Sequence, residues 1–290
     1  MYMDLPRRHF LSLAAVAAVT GCTGNDDSGA TEQPDTETPT DSSTPDPAVF
    51  DIGRYEAPER VEVGAATTIS ITIENVGGRA GEFTAPLYVE LPSGTVQRAA
   101  TVEFGQISPG GSATIEAGPL TFAYLGDYSI RLGERSPLTT VQVVPLSLVW
   151  GDGYRTPSEV ELSVSEPELQ ATIEYEAGYG STENRGPSGD RYWAFVDISV
   201  TNKAATTMSS PGASDFDLIG TGATYDSYAL ADDPIDRGQR FESGDIRPDE
   251  TRSGWIVYAV DSSLTAADMR VSWSATIADG EVAAEWQSEA

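Results

Sequence analysis

Apolar and polar residues alternate one for one through TTISITIENVGG, residues 67–78. Ile69, Ile71 and Ile73 point one way along an extended chain, and Ser70, Thr72 and Glu74 point the other. Period two specifies a half-buried strand, and no long stretch of helical periodicity competes with it. The alternation returns at Leu87, Val89 and Leu91, at Val102 and Phe104, at Ala113 and Ile115, at Tyr128, Ile130 and Leu132, and at Val141 and Val143. A shorter run, Val61 and Val63, precedes them. Turn formers punctuate the set at Gly77-Gly78, Pro92-Ser93-Gly94, Pro109-Gly110-Gly111 and Gly126-Asp127. About seven short strands in about 95 residues, each with one apolar face, predict an immunoglobulin-like sandwich.

The remainder repeats the pattern with different spacing. Candidate strands are Leu146–Trp150, Val160–Val164, Leu169–Glu176, Tyr192–Asn202, Asp215–Ile219, Gly254–Val260 and Met269–Ile277. The expected fold is therefore all-β, with one sandwich over 48–145 and a second over 146–290. The halves share an echo. Glu74-Asn75-Val76 and Val200-Thr201-Asn202 each end a β-branched strand with Asn, and each half has a later Pro-x-x-[ST] turn. Asn at such a place is a turn former before it is a ligand contact.

What precedes the strands has another character. Arg7 and Arg8 lead into an apolar run, Phe10 to Thr20, of about eleven residues, short of the roughly twenty that span a bilayer as a helix. A basic start, a short apolar middle and small residues are the order of a signal peptide, expected over 1–21. The arginine pair resembles a Tat export signal, although Pro6 stands where such motifs carry Ser or Thr. Val19-Thr20-Gly21-Cys22 resembles a lipobox, which implies a lipidated Cys22 as the mature N-terminus and anchoring to the outer face of the membrane. An uncleaved anchor is the alternative, and either places the rest of the chain outside the cytoplasm. Residues 22–47 carry seven acids, four prolines and no base, aromatic or branched aliphatic residue. Such a segment cannot bury enough apolar area to offset its ordering, and a disordered tether is expected, with a contour of roughly 80 Å at about 3.3 Å per residue. It is rich in Thr and Ser, the acceptors of O-linked sugar. No N-x-[ST] sequon occurs in the chain.

Composition removes several chemistries. His9 and Cys22 are the only His and Cys, so the mature chain can form no internal disulfide, zinc finger, haem site, His-based triad or Cys–His dyad. A Ser–Lys dyad would need Lys203, the one lysine beside sixteen arginines. The net charge is −28. Acid enrichment with lysine depletion resembles the proteins of extreme halophiles, and the whole resembles exported haloarchaeal lipoproteins. At 1 M salt the Debye length is about 3 Å, which screens this self-repulsion. The same charge argues against nucleic acid as a partner, because a phosphate backbone is bound with Lys and Arg.

Two further resemblances bear on the strands. VEVGAATTISITIENVG, ISPGGSATIEAG and GDYSIRL, in that order across most of 50–145, resemble CARDB-type adhesion-related domains. YWAFVDISVTN, SDFDLIG and IRPDETRSGWIVYAV, within roughly Leu162–Thr276, resemble the small immunoglobulin-like domain of secreted lipoproteins related to the immunoprotective extracellular protein family. Asn202, Pro248-Asp249-Glu250 and Gly254 hold its marked positions. The first resemblance implies a scaffold of a family associated with surface display and adhesion, the second implies a fold with no settled activity to transfer, and neither carries an active site.

Few side chains stand out as ligand contacts. Ala194, Val196, Ile198 and Val200 form the aliphatic face of Tyr192–Asn202, which leaves Trp193 and Phe195 on the face shared with Asp197, Ser199 and Thr201. Such aromatics are either covered by a loop or neighbouring domain, or form an open platform for a sugar or a protein. Trp273 is in phase with Met269, Val271, Ala275 and Ile277 and is expected in the core. Asp232, Asp233 and Asp236 are candidate Ca²⁺ ligands on a loop, without EF-hand spacing. Gly220 and Gly222 read as hairpin glycines. No cofactor is expected. The function expected is non-catalytic: a surface lipoprotein for adhesion or for binding an envelope partner. The alternatives are a glycan-binding module and, behind it, a hydrolase built on two carboxylates.

Overall fold

The computed structural model describes residues 46–135, 137–277 and 280–289. The expectations for the signal peptide with Arg7 and Arg8, for Cys22 and for the tether up to residue 45 lie outside the described residues. The protein is all-β, with 60% strand and 2% helix among the described residues. It divides into two compact units, one of residues 46–59, 66–121 and 128–141, the other of 60–65, 122–127 and 142–289.

The chain up to residue 144 forms β1 (Phe50–Glu56), β2 (Arg60–Glu62), β3 (Ala66–Asn75), β4 (Gly81–Glu90), β5 (Val96–Ile107), β6 (Ser112–Thr121), β7 (Gly126–Leu132) and β8 (Thr139–Val144). They build one sheet in the order β1-β3-β6 and another in the order β2-β8-β7-β4-β5. Ile69, Ile71 and Ile73 of β3 are fully buried, with Leu87, Ile130 and Val141 from the other sheet. Phe83 of β4 packs on Phe50 and Phe104 at ring-centroid distances of 5.4 and 5.8 Å, which ties β1 to the second sheet. β1 was not among the expected strands. Its register slips between Ile52 and Arg54, and a Cβ on Gly53 would meet the Glu74 side chain at 2.5 Å, so the bulge interrupts the alternation that would announce it.

Beyond residue 145 the strands are β9 (Leu146–Val149), β10 (Gly153–Arg155), β11 (Val160–Val164), β12 (Glu168–Gln170), β13 (Ile173–Gly178), β14 (Ser181–Arg185), β15 (Arg191–Asn202), β16 (Met208–Ser209), β17 (Phe216–Gly220), β18 (Ala223–Tyr225), β19 (Asp245–Ile246), β20 (Thr251–Asp261), β21 (Arg270–Ile277) and β22 (Gly280–Gln287). β15 is the axis of one sheet. β11 and β12 pair along one of its edges and β20 along the other, from Arg191↔Asp261 to Thr201↔Thr251. The second sheet runs β18-β17-β21-β22-β9. Between them lie Val196, Ile198, Ile256, Val271, Trp273 and Trp286, and the buried Tyr258 hydroxyl donates to the Phe216 carbonyl at 3.0 Å. Burial first, and the Asp217 charge second, raise the Tyr258 phenol above its ordinary value. Gly222 takes φ +80° in the β17–β18 hairpin, as its turn requires.

One construction occurs in both units. The fully buried Asn75 side chain donates to the carbonyls of Arg79 (2.7 Å) and Ile107 (2.9 Å) and accepts from the Gly77 N–H (3.0 Å). The fully buried Asn202 donates to Thr206 (2.7 Å) and Ile246 (2.9 Å) and accepts from Ala204 (2.8 Å). The facing turn is the same too. Ser108-Pro109-Gly110-Gly111 and Arg247-Pro248-Asp249-Glu250 each close by a bond from the fourth N–H to the first carbonyl, at 2.9 and 3.0 Å. Gly110 and Asp249 take φ +69° and +60° at the third position, where this turn demands a left-handed residue. Each asparagine's own N–H and C=O then bond across to that turn. The echo in the sequence is thus a repeated device for ending a strand.

Replacing Asn202 by Ala strands the buried Ile246 carbonyl and should cost about 2–3 kcal/mol in denaturant unfolding. Asn202→Asp should be no better, since a carboxylate cannot donate to two carbonyls. A loss below about 0.5 kcal/mol in both variants would show that the amide holds nothing.

Candidate functional site

β15 is buried on both faces along its first half. Ala194, Val196, Ile198 and Val200 face the core, as their alternation predicts, while Trp193 and Phe195 on the other face are only 2% and 1% exposed. A third layer covers them. Ile173 at the base of the β13–β14 hairpin and Leu230 from residues 226–241 pack with Trp193, Phe195, Trp255 and Val257 in one cluster. Tyr228, itself half exposed, lies 5.1 Å from Trp193 between ring centroids. Both indoles are satisfied internally: Trp193 Nε1 donates to the Arg185 carbonyl at 3.1 Å and Trp255 Nε1 to the Gly238 carbonyl at 2.8 Å. The open platform considered for Trp193 and Phe195 is therefore corrected. The rings are the buried floor beneath a crossing segment.

The crossing segment is held by three arginines, each laid over an aromatic ring and paired with an acid. Arg185 lies over Tyr175 (4.5 Å) and pairs with Asp232 at 3.6 Å. Arg237 lies over Phe195 (3.9 Å) and pairs with Glu168, and Arg240 lies over Trp255 (5.3 Å) and pairs with Asp233. Backbone bonds add to this, from Tyr228 to Val257, Ile235 to Glu174 and Phe241 to Trp255. Each cation–π contact contributes roughly 0.5–2 kcal/mol, the exposed ion pairs less.

These contacts also correct the calcium candidates. Asp232 and Asp233 are turned to different arginines, and among the described residues no group of three acidic, His or Cys side chains converges on a point that includes Asp236. Two of the three acids, Asp232 and Asp233, help to latch the segment that carries them. Gly254 is explained by the same crossing: a Cβ there would meet the Phe241 nitrogen at 2.4 Å and the Arg240 carbonyl carbon at 2.5 Å. Lys203 pairs with Glu161 at 3.6 Å, which makes it a surface ion-pair residue. The sequence reading missed the three arginines, whose rings lie in other strands and leave no local pattern around them.

Past the crossing segment the same sheet face is open and polar. Ser163, Ser199 and Ser253 stand side by side across β11, β15 and β20, and Thr201 and Thr251 continue the row pattern. Two residues the other way along β15, Asp197 sits opposite Trp255, with Ser165 beside it. With Gly151 and Gly238-Gln239 as walls, the three serines, Ser165, Asp197 and Trp255 line a trough of about 460 Å³, and Thr201 and Thr251 lie beyond it.

Residues 158–282 match the model of a domain of unknown function, DUF4352. Among solved structures the chain is similar to the yjhA protein from Bacillus subtilis, at 12% identity over 49% of this chain and 99% of that one, with a TM-score of 0.37. It is also similar to an uncharacterized beta-sandwich protein from Clostridium difficile (12% identity, 49% and 94% covered, TM-score 0.31). A functionally unknown protein from Listeria monocytogenes is similar too (12%, 48% and 82%, 0.32). A comparison with curated proteins gives no match.

The latch has a pH dependence of definite sign. The Gln170 amide, donating at 2.7 Å, and then Arg237 hold the Glu168 carboxyl below its ordinary value of 4.5. A group lowered in the folded state stabilises above its unfolded pKa, and that contribution is lost as pH falls through the folded value. Glu168→Gln should therefore be less stable than the parent near neutral pH, by a small margin given the exposure of the Glu168 carboxylate. The gap should close as unfolding is measured progressively below pH 4.5. A gap that stays constant would remove the carboxylate from the latch.

Proposed function

We propose that this chain is a lipid-anchored surface protein whose second unit is a non-catalytic binding module for a partner of the cell envelope. Arg7 and Arg8 direct export, Cys22 carries the lipid, and residues 23–47 space the sandwiches from the membrane. Two lipid chains on one residue anchor far better than one, at roughly 0.8 kcal/mol per buried methylene. The first unit, CARDB-like in its motifs, acts as an adhesion-type spacer. The net charge suits a molar-salt exterior and argues against nucleic acid.

One observation carries the binding reading. In the second unit Arg185, Arg237 and Arg240, with Asp232, Glu168 and Asp233, are engaged with aromatic rings in securing one half of a sheet face, and the open part of that face carries hydroxyls. That arrangement suits recognition by contact. Protein and glycan are both partners such a surface accommodates.

Two measurements test it. Cys22→Ser should move the protein from the membrane fraction to the medium, and the parent's N-terminal peptide should carry the mass of a lipid. Cross-linking on intact cells in molar salt should capture an abundant envelope component on the second unit. Retention of the serine variant in the membrane would remove the lipid anchor. Recovery of this chain alone, from cells in which a neighbouring surface protein is captured, would argue against a protein partner.

A further inference from the structure

We infer that the trough on the open half of the β11–β15–β20 face is a binding site for a neutral polyhydroxylated ligand, a stretch of oligosaccharide. This rests on the reading of the second unit as a binding module and names its site and ligand class. The floor is set by register. Ser163↔Ser199 and Ser199↔Ser253 are directly paired residues, so three hydroxyls form a row across three strands, perpendicular to the chain direction. Ser253 donates to Ser199 at 3.2 Å; in the next row, outside the trough, Thr201 and Thr251 share a bond of 2.9 Å and Glu161, paired with Lys203, takes the place on β11. Each hydroxyl can act as donor and acceptor, so the rows present both kinds of site at the spacing of neighbouring strands, about 4.8 Å.

The surroundings narrow the ligand further. Asp197 is the one charged side chain in the lining, is solvent-exposed, and its carboxylate has no hydrogen bond or ion pair among the described residues. Two unengaged carboxylate oxygens accept two hydroxyl donors. No Lys or Arg is among the lining residues, so a phosphate, sulfate or uronate would find no cation there to pair with. Val164, Ile198 and Trp255 add apolar surface beside the hydroxyls, on which the C–H faces of a sugar can rest. The Gln239 amide, anchored to the Ser253 carbonyl at 3.1 Å, adds a further polar group on the wall. A volume of about 460 Å³ lies in the range of small-ligand sites, roughly 300–1,000 Å³. The crossing segment has a second consequence here. By closing the aromatic half of the face it ends the trough at Gly238, so the ligand lies along the hydroxyl rows and not on the Trp193 ring.

The test is calorimetric titration of the full chain, in molar KCl, with maltohexaose, cellohexaose and mannohexaose, and with a heparin hexasaccharide as the anionic comparison. At least one neutral hexasaccharide should bind and the heparin fragment should not. Ser199→Val, which replaces the central hydroxyl, and Asp197→Asn, which keeps the shape, should each weaken binding by about tenfold or more with the melting temperature unchanged. If Ser199→Val lowers the melting temperature, the Asp197→Asn result decides. Binding that survives both substitutions overturns this site and leaves the binding-module reading standing. Failure of all three neutral sugars, or preference for the heparin fragment, overturns the ligand class. A protein cross-linked through the Asp197 face would do the same while supporting the broader reading.

Discussion

A carbonyl at the end of a buried strand must find a donor, and in both units it finds the amide of one asparagine. Asn75 and Asn202 each reach a carbonyl four residues ahead and a second in a distant strand, while their own backbone groups bond to a Pro-led turn. An isolated buried acceptor would cost about 1–3 kcal/mol, comparable to a large part of a domain's net stability. The amide therefore fixes where the strand ends and where the turn sits. Strand register follows from that, and with register the choice of which side chains face inward.

In the second unit this anchoring gives β15 its central place. Eleven consecutive pairs with β20 run from Asn202's neighbour Thr201 back to Arg191, and every outward residue then has a defined opposite number. The outward face divides along its length. One half is aromatic, and three arginine–aromatic contacts hold a covering segment over it. The other half is small and hydroxylated, and stays open. Gly254 stands at the border, where the covering backbone passes too close for any side chain.

Much of this architecture is legible in the sequence because period two is a local signal. Ile69, Ile71 and Ile73 are fully buried, and Val160–Val164 forms a strand over the expected span. Local signals fail where the determinant is remote. β22, GEVAAEWQ, escapes notice because two alanines and a glutamate blur its apolar face, though Val282, Ala284 and Trp286 are fully buried. Leu169–Glu176 reads as one strand yet divides, its first part pairing with β15 and its second with β14. Trp193 and Phe195 lie on the face their phase predicts. Their cover comes from more than thirty residues later, in a segment whose acids resemble a cation loop and whose arginines have no local pattern. The hydroxyl rows require the register of three strands, which no single window contains.

The division of the face into a closed aromatic half and an open polar half is the centre of this account, and hydrogen exchange of the indole N–H groups tests it most directly. Trp286 Nε1, bonded to the Asp152 carbonyl at 2.9 Å in the main core, is the internal reference. If the crossing segment is part of the folded structure, the Trp193 and Trp255 indoles should exchange only with the opening free energy of Trp286, under conditions where exchange reports equilibrium opening. Exchange of Trp193 and Trp255 several kcal/mol earlier, with Trp286 still protected, would make the segment a separately opening cover and contradict the account.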